Sequence, residues 1–100
     1  MTSTENQSAK QDADKAPAWR GLLAQFPHAL SLVASVSDIG HEKYGRWDGW
    51  LSVDQDRYRD ALIRHLLAES MDPGGVDAES GLPHAAHTAW NALAVLQLGV

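Results

Sequence analysis

The apolar positions of the chain recur at helical spacing in its first patterned segment, between residues 27 and 43. They are Ala29, Leu32, Val33, Val36 and Ile39. Residues three or four apart share one face of an α-helix, so this spacing predicts a helix over residues 27–43. Pro27 suits the first turn of that helix, where its missing N–H costs nothing, and Gly45 is a plausible stop.

Two more segments show the same period, and no stretch alternates convincingly in the period of a strand. The second predicted helix runs from about residue 54 to residue 70, with Asp54 as its N-cap. The run "MDPGGVDAESGLP" breaks it with prolines and glycines. The third predicted helix begins near Pro83 and runs to about residue 98. The pattern therefore predicts an all-α fold, a small helical bundle of three main helices.

The first residues of the chain differ in composition from the patterned part. The stretch "MTSTENQSAKQDADKAP" has no large apolar side chain after Met1. Such a segment buries too little to offset the entropy cost of ordering, so we expect a disordered tail over residues 1–17 and one domain over residues 18–100. A domain this small buries its core thinly as a monomer, and we therefore expect a homo-oligomer, a dimer or a tetramer.

Charge and composition exclude several classes of function. The formal net charge of −5 argues against binding a nucleic-acid polymer, which requires a basic surface. The chain has no cysteine, which excludes disulfides and thiolate catalysis. No apolar run approaches the length of a membrane span, and the N-terminus lacks the apolar core of a secretory signal. We expect a cytoplasmic protein without a membrane partner.

The third helix and the loop before it carry the clearest candidate chemistry. His84, His87 and Asn91 are spaced i, i+3 and i+7, which places them on one narrow helical face. Asp77 and Glu79 lie in the loop that leads into this helix and can fold back towards its N-terminus. A core helix does not need this polar set, although hydrogen bonds to buried carbonyls would also account for it.

The other two helices carry polar positions of the same kind. Asp38 and Glu42 are four residues apart on the first helix, and His65 lies within the apolar stripe of the second. Two carboxylates so close repel each other unless a cation lies between them. Carboxylate oxygens suit Mg²⁺ or Mn²⁺, and added histidines shift the preference towards Mn²⁺ and other transition metals. Solvated acids and a hydrogen-bonded core histidine remain the alternative explanation.

Three elements in this order resemble one known family. They are "GHEKYG", "DRYRDALIRHLLA" and "DAESGLPHAAHTAWNAL". The sequence resembles the phage-type dATP/dGTP diphosphohydrolase N-terminal-domain family over roughly residues 22–98, and the third element is its most specific part. That family is similar to the MazG-like all-α NTP pyrophosphohydrolases. Ser35 and Asp48 depart from the pattern, which often has an acid and an asparagine at these positions.

The resemblance implies a metal-dependent nucleoside triphosphate pyrophosphohydrolase that converts dATP or dGTP to the monophosphate and pyrophosphate, with Mg²⁺ or Mn²⁺ as cofactor. It implies a location in the host bacterial cytoplasm if the protein is phage-encoded. The residues that it implies fall into three groups. The catalytic candidates are Glu42, His65 and His87; the substrate-binding candidates are Lys43, Arg64, Trp47, Trp50, His84 and Asn91; the metal candidates are Asp38, Glu42, Asp77 and Glu79.

Two other functions remain open on the sequence. The first is a non-enzymatic helical module for dimerisation or interaction, in which the polar seams are buried networks that set the register of the helices. The second is a house-cleaning pyrophosphatase that acts on modified nucleotides. Dependence on Mg²⁺ or Mn²⁺ separates the enzymes from the module, because only an enzyme of this kind requires the ion for turnover.

Overall fold

The computed structural model of the protein describes residues 15–100. The predicted disordered tail, residues 1–17, lies outside this range except for its last three residues, which are exposed. The tail and the domain boundary after it remain predictions.

The described residues form three α-helices with short helical turns between them. These elements are a π-helical turn (Trp19–Leu23), helix α1 (Pro27–Tyr44), a 3-10 turn (Gly49–Ser52), helix α2 (Gln55–Met71) and helix α3 (His84–Leu98). Within residues 15–100 the one strand-like pairing is an isolated bridge between Val76 and Pro83. The predicted all-α fold with three main helices is confirmed.

The helix ends lie at residues whose own chemistry favours starting or ending a helix. Pro27 occupies the first turn of α1, and Gly45 ends that helix in the left-handed conformation with φ 72°. Glycine adopts this conformation without the steric penalty that a Cβ atom brings. Asp54 caps α2, because its carboxylate accepts a hydrogen bond from the N–H of Asp56 at 3.2 Å. The predicted stop and the predicted cap are both confirmed.

Helices α2 and α3 form the most extensive helix contact, and they run antiparallel. Nε2 of Gln55, at the start of α2, donates to the carbonyl of Val95 near the end of α3 at 2.8 Å. His65, further along α2, meets His84 at the start of α3. Because the start of α2 contacts the end of α3, and a later part of α2 contacts the start of α3, the two helices are antiparallel.

The buried residues of the described chain are small and all lie on α3. They are Ala86, Asn91 and Ala94, with relative exposures between 3% and 6%. Small side chains let two helices approach closely, and Asn91 satisfies its amide by donating to the carbonyl of His87 at 2.8 Å. The face of α3 that bears Asn91 is therefore the centre of the bundle.

Aromatic side chains join the turn after α1 to the helix pair. Trp50, Tyr58 and Trp90 pack edge to face, with ring centroids 5.7–6.2 Å apart. The hydroxyl of Tyr58 donates to the carbonyl of Trp50 at 2.6 Å, and Nε1 of Trp90 donates to Oγ of Ser37 on α1 at 2.8 Å. The polar ends of both half-buried rings thus have partners, as large amphipathic side chains require.

The loop between α2 and α3, residues 72–83, is held by its own backbone. The N–H of Asp77 donates to the carbonyl of Leu82, and the N–H of Gly81 donates back to the carbonyl of Asp77. The N–H of His84 reaches the carbonyl of Gly75 at 3.1 Å. These bonds fold the loop into a compact turn over the start of α3.

Much apolar surface remains exposed on the described chain. A shallow apolar groove runs between the first part of α1 and the second half of α3. Its lining residues include Leu22, Phe26, Leu30, Val33, Leu93 and Leu96. Such exposure is what the expected homo-oligomer would cover, and the oligomer remains a prediction. No helix among the described residues is both long enough and apolar enough to cross a membrane.

Candidate metal centre and adjoining cleft

Three side chains from three successive elements meet at the start of α3. His65 comes from the middle of α2, Asp77 from the loop, and His84 from the first residue of α3. Their potential ligand atoms, a ring nitrogen from each histidine and a carboxylate oxygen, all lie within 4.8 Å of one another. The two Nδ1 atoms are 2.9 Å apart. We call this set the histidine–aspartate cluster.

The donor chemistry of the cluster fits a divalent metal ion. Imidazole nitrogens together with a carboxylate oxygen form a common ligand set for transition metals. The carboxylate of Asp77 is oriented by the turn around it, because its Oδ2 accepts from the N–H of Ser80 at 2.9 Å. All three side chains are half-buried, so an ion could reach them from solvent.

A second group of polar side chains supports the cluster. The ring of His87 stacks on that of His65, with centroids 4.5 Å apart and an interplanar angle of 12°. Oγ of Ser80 lies 2.7 Å from Nε2 of His87 and accepts from the N–H of Leu82 at 3.1 Å. Among residues 15–100, no buried side-chain N or O atom lacks a partner.

Burial sets the charge states in this region. It lowers the pKa of His65 and of His87 below the usual histidine range, although the carboxylate of Asp77 opposes both shifts. The N–H of Ser80 holds the pKa of Asp77 below its usual range. At neutral pH these shifts favour neutral rings at His65 and His87 beside an ionised Asp77, and metal ligation requires neutral imidazoles and ionised carboxylates.

The cluster borders an open cleft of about 790 Å³ that lies between α1 and the α2–α3 pair. His65 and Asp77 line it directly, and Ser80, His87 and Asn91 lie beside them. A cleft of this size is typical of pockets for small molecules and cofactors, which span about 300–1,000 Å³.

Cationic side chains line the same cleft. Arg57 and Arg64 come from α2, while Lys43 and Arg46 come from the end of α1 and the turn after it. Nζ of Lys43 lies 3.3 Å from the carboxylate of Glu79, which raises the pKa of Lys43. Within residues 15–100, Arg57 and Arg64 make no ion pair.

Arg46 pairs instead with Asp48, at 3.0 Å between Nε and Oδ1, and this pair lowers the pKa of Asp48. Lys43–Glu79 and Arg46–Asp48 are both largely exposed, so each contributes little to stability and can open at small cost.

Aromatic rings form another wall of the cleft. Trp47 stacks on His41 with ring centroids 4.0 Å apart, and it is 62% exposed. Trp50 is half-buried within the aromatic group of Tyr58 and Trp90. Of the two predicted base-stacking tryptophans, Trp47 therefore has the more accessible ring.

The structure brings most of the sequence-predicted residues to this region. Lys43, Trp47, Trp50, Arg64, His65, Asp77, Glu79, His87 and Asn91 line the cleft, and His84 completes the cluster behind it. Asp38 and Glu42 do not join them. Both acids are exposed on α1, outside the cleft lining and outside the cluster. Their predicted metal and catalytic roles remain predictions that the geometry does not favour.

Several residues of the site were not singled out from the sequence. An aspartate in a turn favours a bond from a nearby backbone N–H to its side chain, which is the bond that Asp77 accepts from Ser80, but no local pattern indicates the contact of the Ser80 hydroxyl with His87. Arg57 shares a face of α2 with Arg64, since the two are seven residues apart. The roles of Tyr58 and Trp90 depend on tertiary packing that no local pattern encodes.

Fold and site together define a small all-α domain that presents a histidine–carboxylate cluster at the rim of a cationic and aromatic cleft. Comparison with known sequences identifies the family within this class of protein. The family model described as "dATP/dGTP diphosphohydrolase, N-terminal" matches residues 5–99. The chain belongs to this family, as the three sequence elements indicated.

A curated relative agrees with the family match. The protein named "dATP/dGTP diphosphohydrolase" of Salmonella phage PMBT28 is 41% identical over 80 residues, which are 80% of this chain and 26% of the relative. The chain thus spans about a quarter of the length of that relative. No solved structure matches the chain significantly.

The lowered pKa values of His65 and His87 predict a pH-dependent stability. Above the ordinary histidine pKa of about 6.5, both histidines are neutral in the folded and the unfolded chain, so they add no pH dependence. Below it, the unfolded chain takes up protons that the folded chain resists, and stability falls with falling pH. Asp77 does not contribute in this window, because its stabilising effect is lost only near and below pH 4.

Melting temperatures at pH 7.5, 6.5 and 5.5, measured with a chelator present, should decrease steadily in the wild-type protein. His65→Gln combined with His87→Gln should flatten this dependence, whereas His28→Gln, a change at an exposed histidine of α1, should leave it unchanged. An unchanged slope in the double variant would contradict the assignment.

Proposed function

We propose that the domain binds dATP or dGTP in the cleft and, with a divalent metal ion at the histidine–aspartate cluster, hydrolyses it to the monophosphate and pyrophosphate. The observation that carries the proposal is the placement of His65 and Asp77 on the wall of a cleft that also holds guanidinium groups and accessible aromatic rings. A nucleoside triphosphate needs these three kinds of partner together.

The triphosphate is assigned to the α2 wall of the cleft. Arg57 and Arg64 lie on one face of α2, and neither is engaged in an ion pair within the described chain. A guanidinium can bind phosphate oxygens with two parallel hydrogen bonds, which orients the chain of phosphates as well as attracting it. Lys43 adds a further cation if its exposed pairing with Glu79 opens.

The purine is assigned to Trp47. One face of this indole is covered by His41, and the residue remains 62% exposed, so a base can stack against it. Stacking on aromatic side chains is tolerant of base identity, because every base has a π-face. This wall alone would accept either adenine or guanine.

The chemistry is assigned to the end of the cleft at the cluster. A divalent ion held there would neutralise charge on phosphate oxygens and increase the acidity of water. His87 is kept neutral by burial, lines the cleft beside the cluster, and is held by Ser80, so we assign it the role of proton acceptor. Asn91 anchors the helix turn that carries His87 through its bond to the His87 carbonyl.

The name of the phage relative, dATP/dGTP diphosphohydrolase, supports this reaction class. The similarity covers a quarter of that relative, so the activity of the whole relative comes to this chain only as part of the proposal. A homo-oligomer, a role in phage nucleotide metabolism within the host cytoplasm and a MazG-like ancestry belong to the same proposal.

One observation favours the alternative of a non-enzymatic interaction module. The polar side chains of the site also satisfy one another: His65 bonds to His84, and Ser80 bonds to His87. Buried polar networks of this kind can fix the register of a helix pair without any ligand. A module would neither require a metal ion nor consume a nucleotide.

Asp77→Asn is the sharpest test of the reaction. The amide keeps an oxygen for the N–H of Ser80 but removes the negative charge offered to a metal ion. We expect the rate of dATP and dGTP hydrolysis in Mn²⁺, measured as pyrophosphate released, to fall by about 100-fold or more. Changes to residues that only orient metal ligands already lower metal affinity or activity by about 10–100-fold. Circular dichroism should show an intact helical fold.

Glu42→Gln is the matched control, because it neutralises an exposed acid of α1 outside the cleft. Activity near the wild-type level is expected. If Glu42→Gln abolishes hydrolysis and Asp77→Asn does not, the metal site lies on α1 as the carboxylate spacing suggested. If the wild-type protein releases no pyrophosphate with any metal ion, the proposed hydrolysis is wrong for this chain and the interaction module is favoured.

Trp47→Ala tests the position of the base. Loss of one stacking ring is worth about 1–3 kcal/mol, so the Kd for α,β-methylene dATP, which cannot be cleaved between those phosphates, should rise about 5- to 150-fold. Titration calorimetry in Mn²⁺ measures it. Trp19→Ala removes a similarly exposed tryptophan outside the cleft and should leave Kd unchanged. Equal effects of the two changes would contradict the assignment.

A further inference from the structure

We propose that His65, Asp77 and His84 form a three-ligand site that takes a transition-metal dication, such as Mn²⁺, Co²⁺ or Zn²⁺, and discriminates against Mg²⁺. This inference deepens the proposed function, since it rests on the same three side chains, but it concerns which ion they hold and how. It therefore has a test that does not depend on turnover.

The donor set decides the class of ion. The cluster offers two imidazole nitrogens and one carboxylate oxygen. Mg²⁺ prefers oxygen ligands and retains several waters, whereas imidazole nitrogens suit manganese and the later first-row metals. A site formed by the four acids that the sequence suggested as metal ligands would have offered mainly oxygen atoms, which suit Mg²⁺. These acids are Asp38, Glu42, Asp77 and Glu79.

Three of those acids are placed elsewhere. Asp38 and Glu42 lie on the exposed face of α1, and Glu79 faces Lys43 at 3.3 Å. Among the described residues, Asp77 is the one acid whose carboxylate oxygen lies within 4.8 Å of both histidines' ring nitrogens. The nitrogen-rich character of the cluster is therefore a property of the folded chain.

The spacing of the two histidines matches metal ligation. Their Nδ1 atoms lie 2.9 Å apart. With metal–nitrogen bonds of about 2.1 Å, two ligands at a right angle are separated by about 3.0 Å and two tetrahedral ligands by about 3.4 Å. The observed spacing fits adjacent corners of an octahedron and would reach the tetrahedral value with a shift of about half an ångström.

The three ligands are held in place by the chain around them. The N–H of Ser80 fixes Asp77, the backbone N–H of His84 binds the carbonyl of Gly75, and the ring of His65 stacks on His87. Groups that orient ligands in this way raise metal affinity, because less ordering is needed at binding. Three protein ligands also leave coordination positions open, as catalytic sites require.

The competing explanation is a plain hydrogen bond between the two imidazole rings, one donating and one accepting. Both explanations account for the distance of 2.9 Å. They differ in the effect of an added ion, because an ion that joins α2, the loop and α3 must stabilise all three, whereas a hydrogen bond needs no ion.

The experiment is direct metal binding to the full chain after removal of metal by a chelator. Titration calorimetry with Mn²⁺, Co²⁺, Zn²⁺ and Mg²⁺ in the absence of nucleotide gives stoichiometry and Kd for each ion. We expect one site per chain for the three transition metals, with at least about 100-fold tighter binding than Mg²⁺. Hydrogen exchange should slow in residues 72–83 when the ion is present, because the ion clamps that loop.

Two single variants and two matched controls assign the site. Asp77→Asn and His84→Gln should each weaken transition-metal binding by about 10-fold or more while the helical signal is retained. His28→Gln and Asp60→Asn change an exposed histidine and an exposed acid on other surfaces and should leave Kd unchanged. If one variant fails to fold, the other still decides the assignment.

Three results would overturn the inference. They are the absence of saturable binding by any of the three transition metals, binding of Mg²⁺ as tight as that of Mn²⁺, and binding unaffected by Asp77→Asn and His84→Gln. The proposed hydrolysis fails separately. Transition-metal binding at this site without release of pyrophosphate would sustain the site and reject the reaction, whereas Mg²⁺-driven hydrolysis that survives His84→Gln would sustain the reaction and reject the site.

Discussion

The Nδ1 atoms of His65 and His84 lie 2.9 Å apart across the contact between α2 and α3, and the rest of the site is arranged around this contact. It exists because the two helices run antiparallel, so that the middle of one meets the start of the other. The small buried residues of α3 allow the close approach that the contact needs. The loop that joins the helices must then cross directly over the two rings, and it carries Asp77 to them.

Polar bonds connect the helices of this arrangement in addition to apolar contacts. The described chain buries only Ala86, Ala94 and Asn91 below one tenth exposure, so a large apolar core is absent from it. Hydrogen bonds from Trp90 to Ser37 and from Gln55 to Val95 connect α3 to its neighbours instead. In a domain of this kind a ligand that joins three elements adds stability by mass action, and binding and folding become linked.

The sequence could predict the helices and much of the third element, because both rest on local chemistry. Gly45 and Asp54 mark helix ends through their own backbone and side-chain preferences. His84, His87 and Asn91 share a face because of the helical period alone. These residues required no knowledge of which helices pack together, and the family match supports the element that contains them.

The side chains that contact those residues could not be predicted from local sequence patterns. Asp38 and Glu42 share a face of α1 as their spacing requires, but the rotation of α1 about its axis turns that face towards solvent, and rotation is set by packing. The stacking of Trp47 on His41 and the bond from Ser80 to His87 likewise join residues through tertiary structure. The sequence therefore identified the acids available to a metal ion without identifying which one the fold brings to the histidines.

The most direct test of the central claim is to locate the metal ion by anomalous diffraction. Crystals of the wild-type protein would be grown with Mn²⁺ and α,β-methylene dATP, and data would be collected near the manganese absorption edge. We predict an anomalous peak within bonding distance of Nδ1 of His65, Nδ1 of His84 and the carboxylate of Asp77, with the phosphates in the cleft beside Arg57. A peak held by Asp38 and Glu42, with none near the two histidines, would contradict the account.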